Sequence, residues 1–252
     1  MTINALLLPL LLQSTALPTI DELRLTECVD MAFRDPPSAI VEGSKWRQEN
    51  GGWRADICLA NGFAQNFEFP RAIPLFESGA EAASVIDQDR ANRYWLQAGN
   101  AAIAADRPRD AIRLIDRALA KGALDPEARG EALIDRARAY VASGQNAQAK
   151  VDLFAVRRLL PENILGWLFS ATLARRDGEM EDAQTFIAAA AAIAPQDPAV
   201  ALEAGNIAAQ LGDTGAAATH WQTVIDLAPG SRQAQTARAR LNPATPQPAQ
   251  PE

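Results

Sequence analysis

The sequence predicts an all-α protein built as a stack of antiparallel helix pairs, and three observations carry that expectation. First, Pro161, Pro195 and Pro229 recur every 34 residues, as do Gly144, Gly178 and Gly212 and, independently, Ala149, Ala183 and Ala217. Second, within each period the glycine stands between two amphipathic stretches and the proline closes the second, so each unit reads as helix, tight turn, helix, breaker. Third, 252 residues that are 48% apolar and 22% charged suit a folded domain rather than a disordered or fibrous chain.

Residues 1–16 read as a signal peptide. No charged side chain occurs from 2 to 20, residues 5–12 form a short apolar run, and Ser14 and Ala16 put small residues where a signal peptidase needs them. The alternatives are that this run is the first helix of the domain, or that the start is misassigned. The run is too short to span a bilayer, which takes about 20 apolar residues. Residues 17–92 read as degenerate helical units. Pro36 and Pro37 break 21–50 into two amphipathic halves, and Leu59, Phe63, Ala72 and Phe76 keep the spacing of a further unit.

Residues 93–230 hold four clear units. The first supplies Trp95, Gly99, Ala111 and Ala118, and the second Tyr140, Gly144, Ala149 and Pro161. The third has Trp167, Gly178, Ala183, Ala190 and Pro195, and the fourth Gly205, Gly212, Ala217, Trp221 and Pro229. The alanines let two helices approach closely and the tryptophans fill the space beside them. In the first unit Asp106 stands at the turn, and its connector through Gly122, Asp125 and Pro126 is about four residues longer than the period, which a loop tolerates. Residues 231–241 read as a capping helix with a polar outer face. Residues 242–252, with Pro243, Pro246, Pro248 and Pro251, read as a disordered tail.

These columns resemble the tetratricopeptide repeat (TPR), whose pattern runs from an opening Trp through Leu-Gly, Tyr, Ala and Phe to a closing Pro. The resemblance covers 93–229 and decays upstream, where terminal units are expected to be atypical. It implies a right-handed α-solenoid of about four clear repeats, one or two degenerate N-terminal ones and a C-terminal capping helix. On that repeat, Cys28 and Cys58 would fall on equivalent helices of neighbouring units. They are the only two cysteines, and in an exported chain a disulfide is expected between them; the alternative is two buried free thiols.

A net charge of −7 argues against binding nucleic acid or anionic membranes, since both need clustered positive charge. One histidine, His220, and two cysteines cannot assemble a His/Cys metal site. No phosphate-binding loop, dinucleotide fingerprint or nucleophile elbow occurs. Carboxylate pairs such as Glu181–Asp182 and Asp87–Asp89 sit where acids complement helix starts. Neither catalysis nor a cofactor is expected.

In the family that the chain resembles, first helices line a concave groove that binds peptides or helices of other proteins. Groove spacing gives four rows: Arg93, Glu131, Leu165, Ala199; Leu96, Ile134, Leu168, Leu202; Asn100, Arg138, Thr172, Asn206; and Ile103, Val141, Arg175, Ala209. The second row is aliphatic throughout and, if open, forms an apolar stripe, with Asn100, Arg138, Arg175 and Asn206 beside it as polar contacts; the alternative is that neighbouring helices cover it. The first helices of these four units contain no lysine, so the Lys/Asn/Arg clamp by which some family members hold chaperone C-termini is not expected. Basic groove residues could attract an acidic partner, although 21 of the 24 basic residues are arginine wherever they occur. The leading expectation is an exported bacterial scaffold, periplasmic and working in envelope assembly or secretion. The alternatives are a cytosolic TPR regulatory module and a non-catalytic specificity subunit of an enzyme complex. Partner identity and oligomeric state are not legible.

Overall fold

The computed structural model describes residues 17–120 and 124–242, which form thirteen helices joined by short turns. They are α1 (Ile20–Arg34), α2 (Pro36–Gln48), α3 (Gly52–Gln65), α4 (Phe69–Ala83), α5 (Gln88–Ala104), α6 (Pro108–Ala120) and α7 (Pro126–Ala142). After these come α8 (Asn146–Leu159), α9 (Ile164–Asp177), α10 (Met180–Ile193), α11 (Pro198–Gln210), α12 (Thr214–Leu227) and α13 (Arg232–Leu241). The leader at 1–16, Gly122 and the prolines of the tail lie outside the described residues. No helix among the described residues is long and apolar enough to cross a membrane.

Local chemistry starts these helices. Thr19 and Glu22 form a reciprocal capping box ahead of α1. Asp35, Asp125 and Asp197 cap α2, α7 and α11, each followed by a proline at the first helical position, where no N–H is needed. The turns between paired helices need a left-handed residue. Gly144, Gly178 and Gly212 supply it at φ 77°, 82° and 84°, and Asp106 does so at 55°.

The chain forms two compact units, one ending at Gly79 and one beginning at Ala80, so the division falls within α4 and ahead of residue 93, where the clear repeat columns start. In the first unit α1 and α2 both pack on α3. Gly43 of α2 makes the approach close: a Cβ there would lie 2.8 Å from the Leu59 nitrogen. Cys28 of α1 and Cys58 of α3 are joined in a buried disulfide, their Cα atoms 5.6 Å apart. Leu59, Phe63, Ala72 and Phe76 are all buried.

In the second unit α5/α6, α7/α8, α9/α10 and α11/α12 pack as helical hairpins, and each second helix packs against the following first helix. Ala111, Ala118, Ala149, Ala183, Ala190 and Ala217 are buried at these contacts, together with Trp95 and Trp221. Half-buried Trp167 donates from Nε1 to the Pro161 carbonyl, 2.8 Å away, linking the opening aromatic of one repeat to the closing proline of the previous one. After the long connector Asp125 accepts from the Ala128 N–H at 2.8 Å, so α7 begins at Pro126. α13 is capped by Ser231 and buries Ala234 and Ala237 while its arginines stay exposed.

Candidate functional site

The first helices of the second unit, α5, α7, α9 and α11, carry the four rows. The outermost holds exposed Arg93, Glu131 and Leu165 and half-buried Ala199. The aliphatic second row does not lie open. Ile134 is 4% and Leu168 8% exposed, and Leu96 and Leu202 are half-buried. Ile134 packs with Leu133 and Val156, and Leu168 with Ala171, Ile187 and Val200. A first helix in a stack is flanked both by its own partner and by the preceding pair, so its apolar arc is wider than one stripe and this row falls inside it.

The third row faces outward, with Asn100 and Arg138 exposed and Thr172 and Asn206 half-buried. Thr172 is turned back, its hydroxyl donating to the Leu168 carbonyl at 3.0 Å. Two carboxylates organise the polar residues. Asp135 accepts from Arg138 at 2.9 Å on its own helix and hydrogen-bonds Asn100 on α5. Burial pushes the Asp135 carboxyl above its ordinary pKa, against the opposing pull of Arg138 and Asn100.

Glu203, 6% exposed, accepts from Arg175 Nε at 2.6 Å and from Asn206 Nδ2 at 3.1 Å, so Arg175 is neutralised across the α9–α11 seam and is not a free groove cation. Asn206 Oδ1 is buried and has no hydrogen-bond partner among the described residues. A similar arrangement lies one repeat earlier. Arg136 of α7 is gripped by Asp152 of α8 and Asp116 of α6, each at 2.6 Å. Burial opposes its charge, but the hydrogen bonds it donates to Asp152 and Asp116, with the attraction of their charges, outweigh that, and its pKa rises.

Between α7, α8 and α9 a cavity of about 220 Å³ is lined by Ala137, Arg138, Val141, Leu153, Phe169, Thr172, Leu173 and Arg176. Its walls are mostly apolar, with the exposed arginines 138 and 176 on them. The row spacing identifies Arg138, Thr172 and Val141 but misses Phe169, Leu173 and Arg176, and Leu153 comes from a second helix. Glu203 has a visible signal, being the only charged residue in α11. Asp135 has a weaker one, three residues before Arg138.

The arrangement offers a side-chain-sized apolar recess flanked by two guanidinium groups, suited to gripping a polypeptide segment. Paired helices stacked through alanine columns, with a continuous first-helix surface, define an α-helical repeat protein. The fold is that of the tetratricopeptide-repeat proteins. A tetratricopeptide repeat protein from Parabacteroides merdae superimposes with a TM-score of 0.71 at 14% identity, over 87% of this chain and 86% of the other. PilW, a type IV pilus biogenesis factor, gives 0.67 at 17% identity over 88% and 100%. YrrB, a TPR protein with an unusual peptide-binding site, gives 0.55 at 18% over 77% and 96%. No protein-family model matches the chain, and no curated protein matches it in sequence.

Proposed function

We propose that the protein is a non-enzymatic interaction scaffold that grips a peptide or helix of a partner protein on the first-helix surface of α7 and α9. The observation that carries this reading is the apolar cavity between those helices, with Arg138 and Arg176 on its walls. An apolar side chain of the partner fills the recess while the arginines hold backbone carbonyls or a neighbouring acid. The scaffold works in the periplasm or another oxidising compartment. The Cys28–Cys58 disulfide and the apolar run at 5–12 support that placement. The likeness to YrrB and PilW supports a peptide-binding, envelope-associated role without naming the partner.

The test is site-specific photo-crosslinking in the native host. A crosslinker at Thr172 is expected to trap a discrete polypeptide, whereas one at exposed Gln184 of α10 does not. Substituting Arg138→Gln and Arg176→Gln together is expected to abolish the adduct while lowering the melting temperature by less than about 4 °C, since the exposed Arg138–Asp135 pair is worth at most about 1 kcal/mol. Equal yields from the two positions, or an adduct indifferent to the double substitution, refute the assignment.

A further inference from the structure

The second-helix side of the same region carries another cavity, of about 250 Å³, whose lining includes Lys150, Phe154 and Arg157 of α8, Ser170 of α9, and Asp182 and Phe186 of α10. Arg157 differs from the other partly buried arginines of this unit. Arg136 and Arg175 each hold a carboxylate at 2.6 Å, whereas Arg157 has none within 4 Å among the described residues. Its Nη1 donates to the Ser170 hydroxyl, which itself donates to the Gly166 carbonyl. Nε and Nη2 reach no acceptor among the described residues.

The guanidinium carbon sits 4.2 Å from the Phe186 ring centre, 5.4 Å from Trp167 and 5.9 Å from Phe154, so three rings add to the attraction of the Ser170 hydroxyl. Burial is the largest influence on this group and pulls its pKa down, with Asp182 opposing from beyond ion-pairing distance. Lys150, the cavity's other cation, is already taken by Asp177 at 2.7 Å and Glu179 at 2.8 Å. Phe154 on the lining is 53% exposed, and Val151, three residues before it on α8 and so on the same side of that helix, is 67% exposed.

A half-buried guanidinium with one neutral acceptor has no counter-charge within 4 Å among the described residues. The edge left open here, Nε with Nη2, is the fork that matches a carboxylate bidentately. We infer that this cavity is a second docking site, which takes the Asp or Glu side chain of a polypeptide partner on the open edge of Arg157 and an adjoining bulky apolar residue against Phe154 and Val151. The site shares Leu153 and Leu173 with the first cavity but is built around a different cation, and its test does not depend on that cavity's reading.

The experiment uses the full chain, the peptide acetyl-Gly-Leu-Glu-Phe-Gly-amide, its Gln counterpart, and 3-phenylpropionate as a free carboxylate. Binding is followed by NMR at the Arg157 Nε–H and the Trp167 indole. The Glu peptide is expected to saturate both signals and the Gln peptide to bind at least about tenfold more weakly, as loss of a charged bidentate pair implies. Arg157→Met is expected to abolish binding with no fall in melting temperature. Arg157→Lys, which keeps the charge but loses the fork, is expected to weaken binding about tenfold. Equal binding of the two peptides overturns the proposal, as does absence of a saturable shift. A melting temperature several degrees lower in both variants would make Arg157 a structural residue. Phenylpropionate binding as tightly as the peptide would make this a small-carboxylate site and overturn the assignment to a polypeptide.

Discussion

The Arg175–Glu203 pair ties α9 to α11, and its removal from one side has a calculable cost. Arg175→Met leaves Glu203 buried with Asn206 as its remaining donor. Breaking one partner of a buried pair costs about 3–5 kcal/mol, and the 21% exposure of the Arg175 side chain puts this case near about 3. At roughly 2–4 °C per kcal/mol for a chain of this size, the melting temperature should fall by about 6–12 °C. The double variant Arg175→Met with Glu203→Met removes the stranded charge as well. It should recover most of the loss, leaving about 1 kcal/mol for the acceptor that Asn206 loses; Glu203→Met alone carries at least that same loss of about 1 kcal/mol, so the coupling energy comes to about 3 kcal/mol. Circular-dichroism melts of the wild type, both singles and the double measure that coupling. Hydrogen exchange should show protection falling first in α9–α12, because repeats interact with nearest neighbours. A single variant that melts within about 2 °C of wild type, or a double that falls by the sum of the singles, would refute the account.

Asp106→Gly should stabilise the α5–α6 turn by about 0.5–1 kcal/mol, since glycine adopts its left-handed φ without a Cβ penalty; a lower urea midpoint would contradict this. Ala183→Trp should overpack the α9–α10 pair and cost roughly 1–3 kcal/mol or more, and an unchanged melt would mean the column is misassigned. Asp135 has a raised folded-state pKa, so its favourable contribution is complete below its ordinary 3.8 and is lost as pH rises through the raised value. The wild-type melting temperature should therefore decline relative to Asp135→Asn across that window and run parallel to it at neutral pH. Intact mass of the native-host protein, denatured without reductant and with a thiol-blocking reagent, should start at Leu17 and carry no label. Retention of residues 1–16 with two labels would place the protein in a reducing compartment with its leader intact.

Much of this fold is legible because its determinants are local. A left-handed turn at Gly144, Gly178 or Gly212 and a helix end before Pro161, Pro195 or Pro229 are decisions of a few adjacent residues, and repetition marks them. Alanine columns are legible for a related reason: close approach leaves one residue size. The first-helix surface is less so. Periodicity shows that Ile134 and Arg138 lie near one another on a helix but not where the preceding pair's cover ends, and that cover buries Ile134 while leaving Arg138 out. The cavities are less legible still, because Leu153, Phe169 and Phe186 reach them from three different helices and no sequence spacing links them.

The disulfide between α1 and α3 has a mechanical consequence. It closes a covalent loop across 30 residues that contains all of α2. When the chain is pulled from its ends, that loop cannot be drawn out while the bond holds, which withholds about 100 Å of extension at roughly 3.4 Å per residue. Reducing the bond releases that length in one step, so the first unit has two contour lengths, selected by the redox state of its surroundings.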